Sequence, residues 1–169
     1  ASQFDVARFA FVDNVDKKAK FQQMIDGLKY EFANNQHAFG MYFGNGAYFM
    51  ATLRDVADMA TVGEGYSDDW QKLDVSILHK LMLEQHLGID EAALTAQTNV
   101  KYIKDYGDAT MAALDRVDDG EYQGMFIMNP TRIEEVEAVA MAGEKMPQKS
   151  TFFFPKIYSG LVMNVIDKG

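Results

Sequence analysis

Hydrophobic and polar positions alternate with two different periods in the first third of the chain. Phe4 to Val12 alternates with period two, with Phe4, Val6 and Arg8 on one side, and predicts a strand. From Lys17 the spacing lengthens. Phe21, Met24, Ile25, Leu28 and Phe32 form one helical stripe, with Lys17, Lys18, Lys20, Asp26, Lys29 and Glu31 off it, and Asn34-Asn35 is the predicted stop. Two apolar runs, Ala38 to Gly44 and Ala47 to Arg54, then flank Asn45-Gly46. That dipeptide supplies the two positive-φ residues of a type I′ turn, so the spacing predicts a β-hairpin.

Asp55 to Asp69 has no clear period and reads as a connecting loop between two portions, 1–56 and 66–169, unless the whole is one continuous domain. Leu73, Ile77, Leu78, Leu81, Met82 and Leu87 predict a second helix, closed by a left-handed Gly88. A short helix or turn over Ile89–Gln97 follows. The pattern then alternates: a strand over Asn99–Lys104, a helix over Ala109–Val117, and a strand over Gln123–Met128. The last is a continuous apolar run, as in a strand buried on both faces. Pro130 and the capping box Thr131-Arg-Ile-Glu134 open a helix that runs through Ile133, Val136 and Ala140 to Gly143. Leu161–Ile166 closes the chain as a strand after the Ser159-Gly160 turn. The expected fold class is mixed, α+β or α/β: a β-α-β-β front, an alternating α/β portion, and a C-terminal β-hairpin or strand pair.

Composition removes several functions. A formal charge of -9, spread without a long acidic block, argues against nucleic acid or an anionic membrane as the main partner. With no cysteine there is no disulfide, thiolate nucleophile or Cys-based metal site. No apolar run approaches the ~20 residues of a membrane span, and cytoplasmic is the default expectation. The eleven Met are scattered singly, which suits gap-filling in a core better than a soft-metal site. The chain opens on Ala1-Ser2-Gln3-Phe4 without an initiator Met and runs straight into a strand pattern, so one domain of a larger protein is expected.

Four motifs follow one another in a recognisable order. They are Leu73-Asp-Val-Ser-Ile-Leu-His79, Ala96-Gln-Thr-Asn-Val-Lys-Tyr102, Asn129-Pro-Thr-Arg-Ile-Glu-Glu135 and Met146-Pro-Gln-Lys-Ser-Thr-Phe-Phe-Phe-Pro-Lys156. In this the chain resembles the C-terminal part of the bacterial and archaeal family known as domain of unknown function 1015. The resemblance covers most of the chain from about the hairpin onward. It implies a longer protein with a further N-terminal part as partner, and leaves reaction and cofactor open.

The densest chemistry lies between Gly143 and Gly160, where lysines, a Ser-Thr pair, two prolines and three phenylalanines crowd together. Gly143 to Ser150 approximates a phosphate-binding loop, but Gln148 replaces the second glycine. A helix also precedes it where a strand should, so a Walker-type site is rejected. A looser anion site remains, built from Lys149, Ser150 and Thr151 with Lys145 across the loop. Lys156 would lie roughly 20 Å from Ser150 in an extended chain, at about 3.3 Å per residue, unless Pro155 bends it. The structural alternative is a proline-set loop with a buried Phe run and snorkelling lysines.

A second candidate is Asn129-Pro-Thr-Arg132, between a strand and a helix N-terminus that favours anions. Arg132 could add a bidentate fork there, while Thr131 could simply cap the helix. His79 and His86 lie seven apart on one predicted helix without a completing carboxylate pair. His79 reads as a core or groove residue, and the acidic end Asp115, Asp118, Asp119, Glu121 as solvated. Two functional readings follow. In the first, the domain contributes to a site for a small anionic ligand, a phosphorylated metabolite or nucleotide. In the second, it is a non-catalytic module whose Phe152–Phe154 stretch and Gly160 hairpin dock the N-terminal part or a second subunit, a homo-oligomer included.

Overall fold

A computed structural model describes residues 3–97, 99–104, 107–147 and Ser150. Its centre is a four-stranded antiparallel sheet in the order β1-β3-β2-β4, formed by β1 (Phe4–Ala10), β2 (Ala38–Tyr42), β3 (Ala47–Leu53) and β4 (Met125–Met128). The class is mixed α and β, and the β-α-β-β front is present. The second portion supplies β4, which pairs with β2 from Phe39↔Met128 to Tyr42↔Met125, so both portions share one sheet.

The long helix α1 (Asn14–Ala33) covers one face. Asp13 caps it by accepting from the Val15 and Asp16 amides, Met24 and Leu28 are buried, and Asn35 leaves it at φ 57°. The close approach depends on Gly40. A β-carbon there would stand 3.1 Å from Leu28 Cδ1 and from Met24 Cε and Sδ. Tyr42, Tyr48, Leu114 and Val117 complete this layer, Leu114 and Val117 coming from α5 (Ala109–Asp118).

The opposite face buries Phe4, Phe39, Ala51 and Leu53 against a string of short helices. These are a 3₁₀ helix (Val56–Thr61), α2 (Asp68–Gln71), α3 (Asp74–Ile77), a π-helical stretch (Leu78–His86) and α4 (Glu91–Ala96). Trp70, Leu73, Ile77 and Leu81 are among the buried residues these helices add to that core. α6 (Ile133–Met141) adds Val139 to the same core.

Several expectations need correction. The hairpin forms, but positive φ occurs at Gly44 and Gly46 and not at Asn45. Two glycines flanking Asn45 give a four-residue connection in place of the two-residue turn. The 55–69 loop contains the 3₁₀ helix, because Met59 is fully buried and anchors it. Asn99–Lys104 is irregular, not a strand. β4 is half-buried at all four positions at the margin of the described sheet; its continuous apolar run reflects partial cover on two faces. In α6 the inward residue is Val139, while Ile133 is 80% exposed. Leu87 is exposed after the π-helical stretch, not part of an apolar face. The expected strand Leu161–Ile166 and the Phe152–Phe154 run lie outside the described residues.

Candidate functional site

A cleft of about 480 Å³ opens between the short helices and the chain that follows α6. Its aromatic wall is Tyr66 stacked on the buried Trp70, with ring centroids 3.9 Å apart and planes at 14°. Ser67 caps α2 by accepting from the Trp70 amide at 3.2 Å, which sets the indole's position. Glu144 closes the corner, accepting from the Ser67 amide at 2.8 Å and from the Ser67 hydroxyl.

The π-helical stretch supplies the inner wall. Its wider winding carries the two histidines to different surroundings. His79 lines the cleft, with Nε2 3.3 Å from the Tyr102 hydroxyl, whereas His86 meets Gln3 and the Phe4 ring. Burial, helped by the Lys80 charge, lowers the His79 pKa to about 4. The ring is therefore neutral at ordinary pH, a weak proton acceptor but a ready hydrogen-bonding group. Burial also raises the pKa of the Tyr102 phenol, keeping its proton in place. Lys80 is held between Glu84 at 3.0 Å and Glu91 at 3.9 Å. Lys145 lies at the exposed mouth, and among the described residues no carboxylate pairs with it.

The other expected site residues are placed as follows. Asn129 is buried, and its side-chain amide donates to Leu28 O at 3.1 Å. Thr131 donates to Ser150 O at 3.0 Å. The helix cap sits one residue later than expected, with the Glu135 carboxylate accepting from the Arg132 amide at 2.7 Å. The Arg132 guanidinium turns away from that helix. It donates to Asn35 Oδ1 at 2.6 Å and to Phe32 O, with its carbon 4.1 Å from the Phe32 ring centre. Ser150 donates its hydroxyl to Pro147 O at 2.7 Å. Lys149, Thr151 and Lys156 lie outside the described residues. Of the five among the described residues, only Lys145 lines this cleft.

Arg132 instead borders a second, more open cleft of about 380 Å³, which also holds Lys72, Asp69 and a His37–Asp74 pair 2.7 Å apart. Sequence reasoning named neither Tyr102, Trp70 nor Tyr66 as a site residue. Their signal, a neighbouring Tyr66 and Trp70 and a distant Tyr102, acquires meaning only when the fold joins the two segments. Among the described residues no cluster of three or more His, Cys, Asp or Glu could hold a metal ion. No helix among them is long and apolar enough to cross a membrane.

No family model, curated protein or solved structure matches this chain.

Proposed function

We propose that this domain contributes to a binding site for a small anionic molecule, of the phosphorylated-metabolite or nucleotide kind, in the cleft of Tyr66, Trp70, His79, Tyr102 and Lys145. The observation that supports it most is the distribution of charge. Lys80 is neutralised by its glutamates and Glu144 is turned onto Ser67, so Lys145 carries the one unpaired charge among the described cationic groups of the cleft. It stands beside a flat aromatic wall, and pockets of this make, apolar with a few polar groups, are the usual small-molecule sites. Lys149, Ser150, Thr151 and Lys156, which follow the cleft-lining Pro147 in the sequence, belong to the same proposal. The resemblance to domain of unknown function 1015 is in keeping with a site shared with an N-terminal part.

Calorimetric titration of the chain with glycerol 3-phosphate and with AMP tests this. Binding of either that Lys145→Ala weakens about tenfold, as loss of a charged hydrogen bond should, supports the site. Equal affinity in wild type and variant sinks it.

The second reading, a docking module, is favoured by one observation. Ile133 and Met141 of α6 are 80% and 81% exposed. A self-associating chain whose dimer Ile133→Glu dissolves, as read by light scattering, would support that reading over the first.

A further inference from the structure

Charge at the mouth of the large cleft does not account for the polar pair within it. His79 is 9% exposed and lines the cavity, with Nε2 on the Tyr102 hydroxyl and no partner for Nδ1 among the described residues. A neutral imidazole has one N–H and one lone pair. When the phenol donates to Nε2, the ring proton sits on Nδ1 and meets no described residue of the protein. Among the described residues the buried side-chain atom without a partner is Ser76 Oγ, not His79 Nδ1, so this N–H meets water in the cleft, and a ligand that displaces that water loses affinity unless it brings an acceptor of its own.

The entering group is not the anion. Bringing a charge against the buried wall is costly, while Lys145 offers it a place at the solvated mouth. The group that meets His79 is therefore uncharged. We propose that His79, oriented by Tyr102, is the specificity-determining residue of this cleft. It hydrogen-bonds a neutral hydroxyl or carbonyl oxygen on the same ligand whose anionic end faces Lys145. The substrate class is then a hydroxylated or carbonyl-bearing phosphate ester, not a bare anion. This rests on the anionic-ligand reading and narrows it. The lowered basicity of His79 fits the role, since the ring keeps one fixed donor across the neutral range.

The test compares two probes by calorimetry on the whole chain: glycerol 3-phosphate, and propyl phosphate, which lacks the hydroxyls. Wild type should bind the first about tenfold more tightly, the worth of one such hydrogen bond. Tyr102→Phe, which keeps the ring and its packing, should shrink that preference, and His79→Phe should abolish it, with propyl phosphate binding unchanged in both. Lys145→Ala should weaken both probes in parallel. The preference should also hold constant between about pH 6 and 8, as expected of a group already deprotonated. Equal affinity of the two probes in wild type, or a preference that survives both aromatic substitutions, overturns the inference while leaving the anion site standing. If neither probe binds, both fall together.

Discussion

At the scale of single residues, two titrating groups tie stability to pH. Burial pushes the Asp118 pKa up, but hydrogen bonds from Lys17 and Tyr42 outweigh it and hold the carboxyl below its ordinary value of 3.8. A depressed acid stabilises the folded state above its unfolded pKa and loses that contribution as pH falls through the folded one. Asp118→Asn should therefore cost about 1–2 kcal/mol at neutral pH, an amount moderated by partial exposure. Its penalty should shrink as the pH falls below the ordinary value of 3.8 and through the lower folded one, as read by urea titration across pH. His79 acts in the same direction for a different reason. Its folded pKa of about 4 lies below the ordinary 6.5, so the unfolded chain binds the extra proton between those values. Stability should decline by on the order of 3 kcal/mol from pH 6.5 to 4, at 1.36 kcal/mol per unit, and His79→Gln should flatten that slope. The sequence made Asp118 look like one more solvated acid at a helix end. Its partner is Lys17, 101 positions away, and no local pattern carries that distance.

At the scale of elements, the long periodic segments were the legible ones. The α1 stripe is read correctly because a twenty-residue helix repeats its signal over several turns. Leu73 to Leu87 was harder. The apolar positions are real, but α3 and the π-helical stretch divide them, and π winding leaves no distinctive spacing in a single sequence. In α6, Ile133, Val136 and Ala140 share a face, and Val139 is the residue buried. A helix this rich in apolar residues offers two plausible faces, and tertiary packing chooses. Arg132 shows the same override. A residue that suggested an anion fork instead closes the end of α1, where a cation favours the unsatisfied carbonyls. Arg132→Ala should lower stability by about 1–2 kcal/mol, seen as a reduced denaturation midpoint. Phosphate affinity should not change with it; a loss of affinity would return Arg132 to the binding site.

At the scale of the molecule, the two portions share the β2–β4 pairing and a core in which Phe4 and Leu53 join Trp70, Ile77 and Val139. Such sharing predicts one cooperative transition. Trp70 fluorescence and far-ultraviolet circular dichroism should report the same urea midpoint, and two separated midpoints would contradict it. The composition of this core was visible in the sequence, but its pairing was not. Register between strands some 80 residues apart leaves no mark in either strand alone. The cleft is legible to the same degree. Lys145 stood in the stretch richest in chemistry, while its aromatic wall and the His79–Tyr102 pair come from segments that only the fold brings together.

The position of β2 between β3 and β4 also matters while the protein is being made. β1, α1, β2 and β3 are complete once Leu53 is added, but the strand that seals the other edge of β2 begins at Met125, about 70 residues later. At roughly 5–20 residues per second, that edge stays open for roughly 4–14 s. Phe39, Ala51 and Leu53 lack part of their helical cover over the same interval. The nascent chain thus presents an unpaired strand beside an apolar face, the combination that recruits other chains. Its yield in a cell should depend on chaperone supply more than the stability of the finished fold would suggest.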